Sequence, residues 1–287
     1  MNYRHAYHAG NFADVIKHAL LCRVLVHLRE KPAAFRIIDT HAGAGRYDLA
    51  GLEAGKTQEW RDGIDRLRSA ELAAPVRALL APYLDAVAAF NPGGGLTTYP
   101  GSPLLAKALL RRQDRLIACE LEPQAAGALQ KELAGDARAK AIAIDGWTAV
   151  TAYVPPVERR GVVLVDPPFE QPGEFLRLVE GLAAAHRKWP TGVYLLWYPI
   201  KDLAEVAAFA RSLSRLGIAK MKILRVELML PTAVPDTGLR GSGLIAVNPP
   251  WTLHDQLKVL LPALAAVMSR GPAGAVTLDW LTGESAS

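Results

Sequence analysis

FRIIDTHAGAGRYD, residues 35–48, is an apolar run that stops on an acidic residue and enters a loop of glycine and alanine. The run over 35–40 reads as a short buried strand closed by the turn-like HAGAG. The same strand-then-break pattern recurs outward from it. RLIACEL (115–121), AKAIAID (139–145), RGVVLVD (160–166) and GVYLLWYP (192–199) read as further strands. Helical patterns surround and separate them: an amphipathic one at 13–30, then EPQAAGALQKEL (122–133), GEFLRLVEGLAAAHRKW (173–189) and KDLAEVAAFARSL (201–213). Strands alternating with helices predict a parallel sheet covered on both faces. Two β-rich runs, 221–230 and 241–248, follow with only a loop between them and are expected to pair antiparallel. The predicted fold class is therefore α/β, a Rossmann-like sheet, mostly parallel with a terminal antiparallel strand.

One stretch breaks the alternation. Residues 50–98 carry helical patterns at 58–70 and 74–90 and close on the breaker NPGGG. We read 1–287 as one Rossmann-like domain with a small helical insertion at 50–98. Leaving the end of the first strand, the insertion either overhangs the ligand crevice of such sheets or serves packing alone.

Composition narrows the function classes. No apolar run approaches the roughly 20 residues of a membrane-spanning helix. MNYRHAYHAGNFADVIKH has no apolar run behind its basic residues, so no signal peptide is expected. A cytoplasmic protein is the expectation, with Cys22 and Cys119, both in apolar runs, as free buried thiols. The net charge of +5 is compatible with a polyanionic partner.

Four motifs carry chemistry. In the first, Gly43 and Gly45 let backbone approach a nucleotide-like ligand, but Asp48 stands where a dinucleotide fingerprint has its third glycine. An acid there opposes a pyrophosphate, whereas Asp39 and Asp48 suit the sulfonium and ammonium of S-adenosyl-L-methionine. The second is Glu120, at a strand end, where a carboxylate can accept ribose hydroxyls of either cofactor. Asp145-Gly146-Trp147 follows the next strand; Asp145 can accept from an adenine amine or cap a helix, and Trp147 can pack on the ring.

The third motif is Asp166-Pro167-Pro168-Phe169 after the apolar GVVLV. Two prolines make a rigid corner without N–H donors. Carbonyls and the Asp166 carboxylate are left to accept hydrogens from an exocyclic amine, favouring the pyramidal geometry that attacks a methyl group. Phe169 can stack on a base taken out of RNA. A DPPF tetrapeptide in this position is the signature of amino-methyltransferases acting on adenine, cytosine or glutamine amides. The fourth is the N-terminal run from Tyr3 to His18, dense in aromatic and basic groups that suit base stacking and phosphate contact. Five of the seven histidines (5, 8, 18, 27 and 41) fall in the first 41 residues. No acidic or cysteine cluster accompanies them at ligand spacing, so no metal is expected; a solvated tail is the bland alternative.

YRHAYHAGNFADVIKH (3–18), DTHAGAGRYDL (39–49), YPGSPLLA (99–106) and DPPF (166–169), taken in order, span essentially the whole chain. Together they resemble the RlmJ family of bacterial 23S ribosomal RNA (adenine-N6)-methyltransferases. The resemblance implies a monomer that uses S-adenosyl-L-methionine. It places His18, His41, Gly43, Ser102, Glu120, Asp145 and Gly146 against the cofactor and makes Asp166 the catalytic acceptor, with Lys17 positioning cofactor or substrate. Tyr3, His5, Pro167 and Phe169 would engage the RNA. The family commonly has Tyr at the fourth position of the tetrapeptide; Phe169 keeps the stacking surface and loses a phenolic hydrogen bond. A DNA adenine methyltransferase is disfavoured because no separate DNA-recognition domain is apparent. An inactive RNA-binding protein is disfavoured by the intact Asp166, and an NAD-dependent oxidoreductase by the missing third glycine.

Overall fold

The computed structural model describes residues 5–218, 221–231, 239–272 and 274–283. A 3-10 turn at His5–Tyr7 precedes helix α1 (Phe12–Arg29), which leads to β1 (Arg36–Asp39) and the short β2 (Arg46–Asp48). Helices α2 (Leu52–Thr57), α3 (Arg66–Ser69) and α4 (Ala74–Ala89) come before β3 (Thr98–Pro100) and α5 (Ser102–Ala108). Alternation then follows: β4 (Arg115–Glu120), α6 (Pro123–Leu133), β5 (Ala139–Ala143), α7 (Gly146–Ala152), β6 (Gly161–Val165), α8 (Glu174–Lys188), β7 (Val193–Ile200) and α9 (Leu203–Ser214). The chain continues through β8 (Ile223–Met229), β9 (Gly241–Val247), α10 (Leu253–Met268) and β10 (Ala275–Thr282).

Among the described residues the main sheet has the order β10-β8-β9-β7-β6-β1-β4-β5. The five strands from β7 to β5 are parallel. β9 runs antiparallel to β7 and β8, and β10 antiparallel to β8. The mostly parallel sheet with an antiparallel end agrees with the strand–helix alternation. Helix α10 and the half-exposed edge strand β10 are additions to the sequence reading. β6 is buried throughout because both faces are covered. Val162 and Leu164 enter one core, and Val163 and Val165 the other.

The chain leaves β1 for β4 and β5 on one side and returns to β6 on the other. Strand order therefore reverses between β1 and β6, and the crevice outside their carboxyl ends is where open α/β sheets bind ligands. Asp39 ends β1, and Asp166 directly follows its neighbour β6.

Two helical expectations are corrected. α1 is not amphipathic in place: most of it is buried, Asp14, Lys17 and His18 included, because it lies between β6 and β9 on one side and α4, α5 and α10 on the other. The continuous helix expected over 58–70 is broken at Gly63 (φ −100, ψ −108), leaving a kinked turn at Arg61–Asp65 ahead of α3. The break has a packing cause. A Cβ on Gly63 would stand 2.0 Å from Gly10 O and 2.6 Å from Asn11 C, and Ile64 N donates to Gly10 O at 2.9 Å. The bare glycine lets the 50–98 stretch clasp the loop that starts α1.

Gly63→Ala is thus expected to force this clasp apart, at about 1–3 kcal/mol or more for overpacking. A thermal melt with an unchanged midpoint would show that the loop relaxes freely.

Candidate active site

The crevice opens into a cavity of about 1240 Å³. That exceeds the roughly 300–1,000 Å³ of a typical small-molecule pocket and gives room for a cofactor and a nucleobase together. Of the residues singled out from the sequence, His5, Lys17, His18, His41, Gly43 and Ser102 line it, as do Glu120, Asp145, Gly146, Asp166, Pro167 and Phe169. Tyr3 lies outside the described residues. Asp48 is not among the lining residues: β2 alternates, so Tyr47 turns inward while Asp48 faces out and accepts from Ala50 N at 2.9 Å. Its suggested place beside a cofactor cation is therefore withdrawn.

Acidic and basic groups from α1 meet the end of β6. Lys17 Nζ donates to Asp166 Oδ2 at 2.5 Å and lies 2.8 Å from Asp14 Oδ1. Asp14 Oδ2 is 3.0 Å from His5 Nε2 and accepts from Gly10 N at 2.8 Å. Asn11 caps the helix by accepting from Asp14 N at 3.0 Å, so cap and ion pair share a residue. Burial works against the charge on Asp14, yet His5, Lys17 and His18 around it hold the carboxyl well below its usual range. Burial likewise opposes the Lys17 charge, and Asp14 and Asp166 overcome it, raising the ammonium above its ordinary value. One oxygen of Asp166 is thereby engaged, and among the described residues Oδ1 has no hydrogen-bond partner.

Loops on the β4–β5 side form the other half of the cavity. Glu120 accepts from Gly43 N and from Glu122 N, both at 2.8 Å, one on each oxygen. The carboxylate is held in place with further lone pairs to offer. Asp145 accepts from Thr148 N at 2.8 Å as the cap of α7 and still lines the cavity, so its two sequence readings coexist. Gly146 is required by a close approach: a Cβ there would stand 2.3 Å from His41 Nε2 and 2.5 Å from Thr40 O. His41 meets Trp147 edge-on at 5.4 Å between centroids. Asp39 is buried beneath the loop beside Ser102 and His41; burial, with Asp166 nearby, outweighs hydrogen bonding from those two residues and pushes its carboxyl up to about 7.

Sequence reasoning missed several participants. Asp14 has the wrong profile for a buried residue unless its partners are known. Glu59, from the 50–98 stretch, stands 3.0 Å from His8 Nδ1 and accepts from Asn11 Nδ2 at 2.9 Å. Trp197 lies 5.7 Å under the Lys17 ammonium and, with Phe175, packs edge-on against Phe169, at 5.9 and 4.9 Å. Phe169 itself adopts a left-handed φ of 52°, a conformation that costs a bulky residue about 1–3 kcal/mol and collects at functional sites. The Pro-Pro-Phe order was the available signal for such a corner; Trp197, inside a strand run, carried none.

Burial lowers His18 from 6.5 to about 3 and His41 to about 4. The unfolded chain, with histidines near 6.5, therefore takes up protons that the folded state refuses. The stability tied to this is complete above about pH 6.5 and is lost as pH falls toward the folded values. Between pH 6 and 4 each histidine contributes a slope of up to about 1.4 kcal/mol per pH unit. His18→Gln should flatten this acid limb by one such increment in urea titrations; an identical slope would mean that His18 charges while folded.

The family described as Ribosomal RNA large subunit methyltransferase D, RlmJ, matches residues 32–282. Ribosomal RNA large subunit methyltransferase J of Escherichia coli (strain K12) is 40% identical over 287 residues, covering 99% of this chain and 100% of the relative. Its namesake from Haemophilus influenzae is 37% identical over 285 residues, covering 99% and 100%. Among solved structures, protein LPL1258 from Legionella pneumophila superposes with a TM-score of 0.85 at 33% identity, over 95% of this chain and 98% of that one. With the family model matching 32–282 and two relatives 40% and 37% identical over nearly the whole length, the chain belongs to the RlmJ family of ribosomal RNA large subunit methyltransferases.

Proposed function

We propose that the chain transfers a methyl group from S-adenosyl-L-methionine to the N6 amine of an adenine in 23S ribosomal RNA, acting as a cytoplasmic monomer. In this reading 1–287 form one Rossmann-like domain with 50–98 inserted as a subdomain. The observation that carries the proposal is Asp166 at the strand-order reversal, one carboxylate oxygen held by Lys17, facing a cavity that also contains Glu120 and Asp145.

The residues fit the cofactor. Glu120 suits the ribose hydroxyls, Asp145 and Trp147 the adenine, and Ser102, His41 and His18 the remaining polar groups. The buried Asp39 is a carboxyl suited to a nearby cation and hostile to a pyrophosphate, which favours adenosylmethionine over NAD. When bound, adenosylmethionine supplies a methyl group on a positively charged sulfur. The chain's own part is to present an amine to it. Asp166 and the carbonyl of Pro167 accept the amine hydrogens and draw its lone pair out of conjugation. Lys17 keeps the carboxylate aimed. Phe169, wedged by Phe175 and Trp197, offers the flipped base an apolar wall, and His5 borders the same cavity from the N-terminal turn.

A host strain lacking this chain should lose one N6-methyladenosine from 23S RNA by mass mapping. The parent chain should restore it, and Asp166→Ala should not. In vitro that variant should lose about 10²–10³ in rate while calorimetry finds adenosylmethionine binding close to the parent's. Restoration by a folded Asp166→Ala would overturn the catalytic assignment; methylation found in DNA would favour the DNA enzyme.

Glu120→Ala should weaken adenosylmethionine by roughly 1.5–3 kcal/mol, the worth of hydrogen bonds to a charged group. It also frees the Gly43 and Glu122 amides, so the loop should become more protease-sensitive. Unchanged affinity would reduce Glu120 to a loop brace.

A further inference from the structure

His18 Nδ1 stands 2.6 Å from Tyr99 Oη, and Tyr99 Oη stands 2.9 Å from Tyr83 Oη. All three side chains are buried, and His18 also lines the cavity. Tyr83 belongs to α4 and Tyr99 to β3, so the relay brings the 50–98 stretch to a residue of the site. Its geometry restricts where the protons can sit. Burial holds both phenols well above their ordinary range and the imidazole at about 3, so each phenol keeps its proton and the ring carries one. Among the described residues, the hydrogen-bond partner of Tyr83 Oη is Tyr99 Oη. The Tyr83 proton must therefore point at Tyr99, since otherwise it is a buried O–H without an acceptor. Tyr99, accepting from Tyr83, has its own proton for His18 Nδ1. That nitrogen is then an acceptor, and the ring proton resides on Nε2.

We propose that Tyr99, backed by Tyr83, fixes His18 as the Nε2–H tautomer and makes it a hydrogen-bond donor toward the cavity, where it reads the carboxylate of the cofactor's amino-acid end. This rests on the adenosylmethionine reading above. With Glu120 and Asp145 on the β4–β5 side suited to the adenosine, the amino-acid end extends toward α1, which carries His18. A neutral N–H cannot accept from an ammonium and can donate to a carboxylate, so the tautomer decides which of the two charged groups His18 takes. Tyr83 and Tyr99 touch no ligand in this scheme and act as positioning residues.

Two measurements on the full chain test it. In protein carrying ¹⁵N-histidine and no cofactor, a long-range ¹H–¹⁵N correlation spectrum reports the tautomer, with the His18 signals identified by their loss in His18→Ala. A protonated Nε2 with an acceptor-type Nδ1 is expected; a protonated Nδ1 overturns the proposal. Calorimetry then compares adenosylmethionine with its decarboxylated analogue. Tyr99→Phe and His18→Ala should each weaken the first about tenfold, as for one hydrogen bond to a charged group, and leave the second within about twofold. Equal loss of both ligands, or of neither, overturns the carboxylate contact. If the unaltered chain binds neither ligand, the adenosylmethionine reading falls and the carboxylate contact with it, while the spectrum still decides the tautomer.

Discussion

A lysine ammonium held between two carboxylates joins the two halves of this molecule. Lys17 rises from a helix before the first strand, and Asp166 sits 149 positions later at the end of β6. Taking such charges out of water costs several kcal/mol each, so they persist only fully partnered. Asp14 supplies the second partner and is itself satisfied by Gly10 N and His5. Losing one member of such a cluster strands a buried charge, at about 3–5 kcal/mol. The position of α1, the approach of the N-terminal turn to the crevice and the aim of the Asp166 carboxylate all follow from keeping that cluster complete.

The cavity beside the cluster divides by chemistry. Toward β4 and β5 its polar groups are already held by backbone amides, as Glu120 is by Gly43 and Glu122, so a ligand meets a preorganised surface that spends little on ordering side chains. Toward β6 and β7 the lining is aromatic and the backbone strained at Phe169. A rigid corner with few donors beside an apolar wall suits a planar base held by its amine, whereas the preorganised side suits a nucleoside with many hydroxyls.

The 50–98 stretch approaches the cavity from the side of α1. It is tied at its neck by β2 and β3 and by Leu49 N to Thr97 O at 2.8 Å. It reaches the N-terminal loop through Gly63 and Glu59, and His18 through Tyr83 and Tyr99. Its polar contacts toward the site are part-buried at Glu59 and buried at Tyr83.

Local sequence determined the sheet and the loops that bear on the crevice. A parallel strand buried on both faces has to be written as an apolar run such as GVVLV, and its end has to be punctuated, as by HAGAG or DPPF, so these elements and the cavity side chains attached to them were legible from residue type and order. Asp39, Glu120 and Asp166 at strand ends and the cap at Asp145 belong to this class, and the family motifs added His18, His41 and Ser102. What depended on partners distant in sequence was not legible. The burial of Asp14, Lys17 and His18, though not the membership of Lys17 and His18 in the site, belongs here: by residue type they look like the wet face of a helix until α4, α10 and the end of β6 close over them. Asp48 looked like a ligand until the β2–β3 pairing turned it outward. Trp197, Tyr83 and Tyr99 look like ordinary core. A hydrogen bond or ion pair between residues 80 or 150 positions apart leaves no local periodicity to read, because its free energy comes from the burial that tertiary packing creates, and so only the folded structure could decide which buried polar groups find each other.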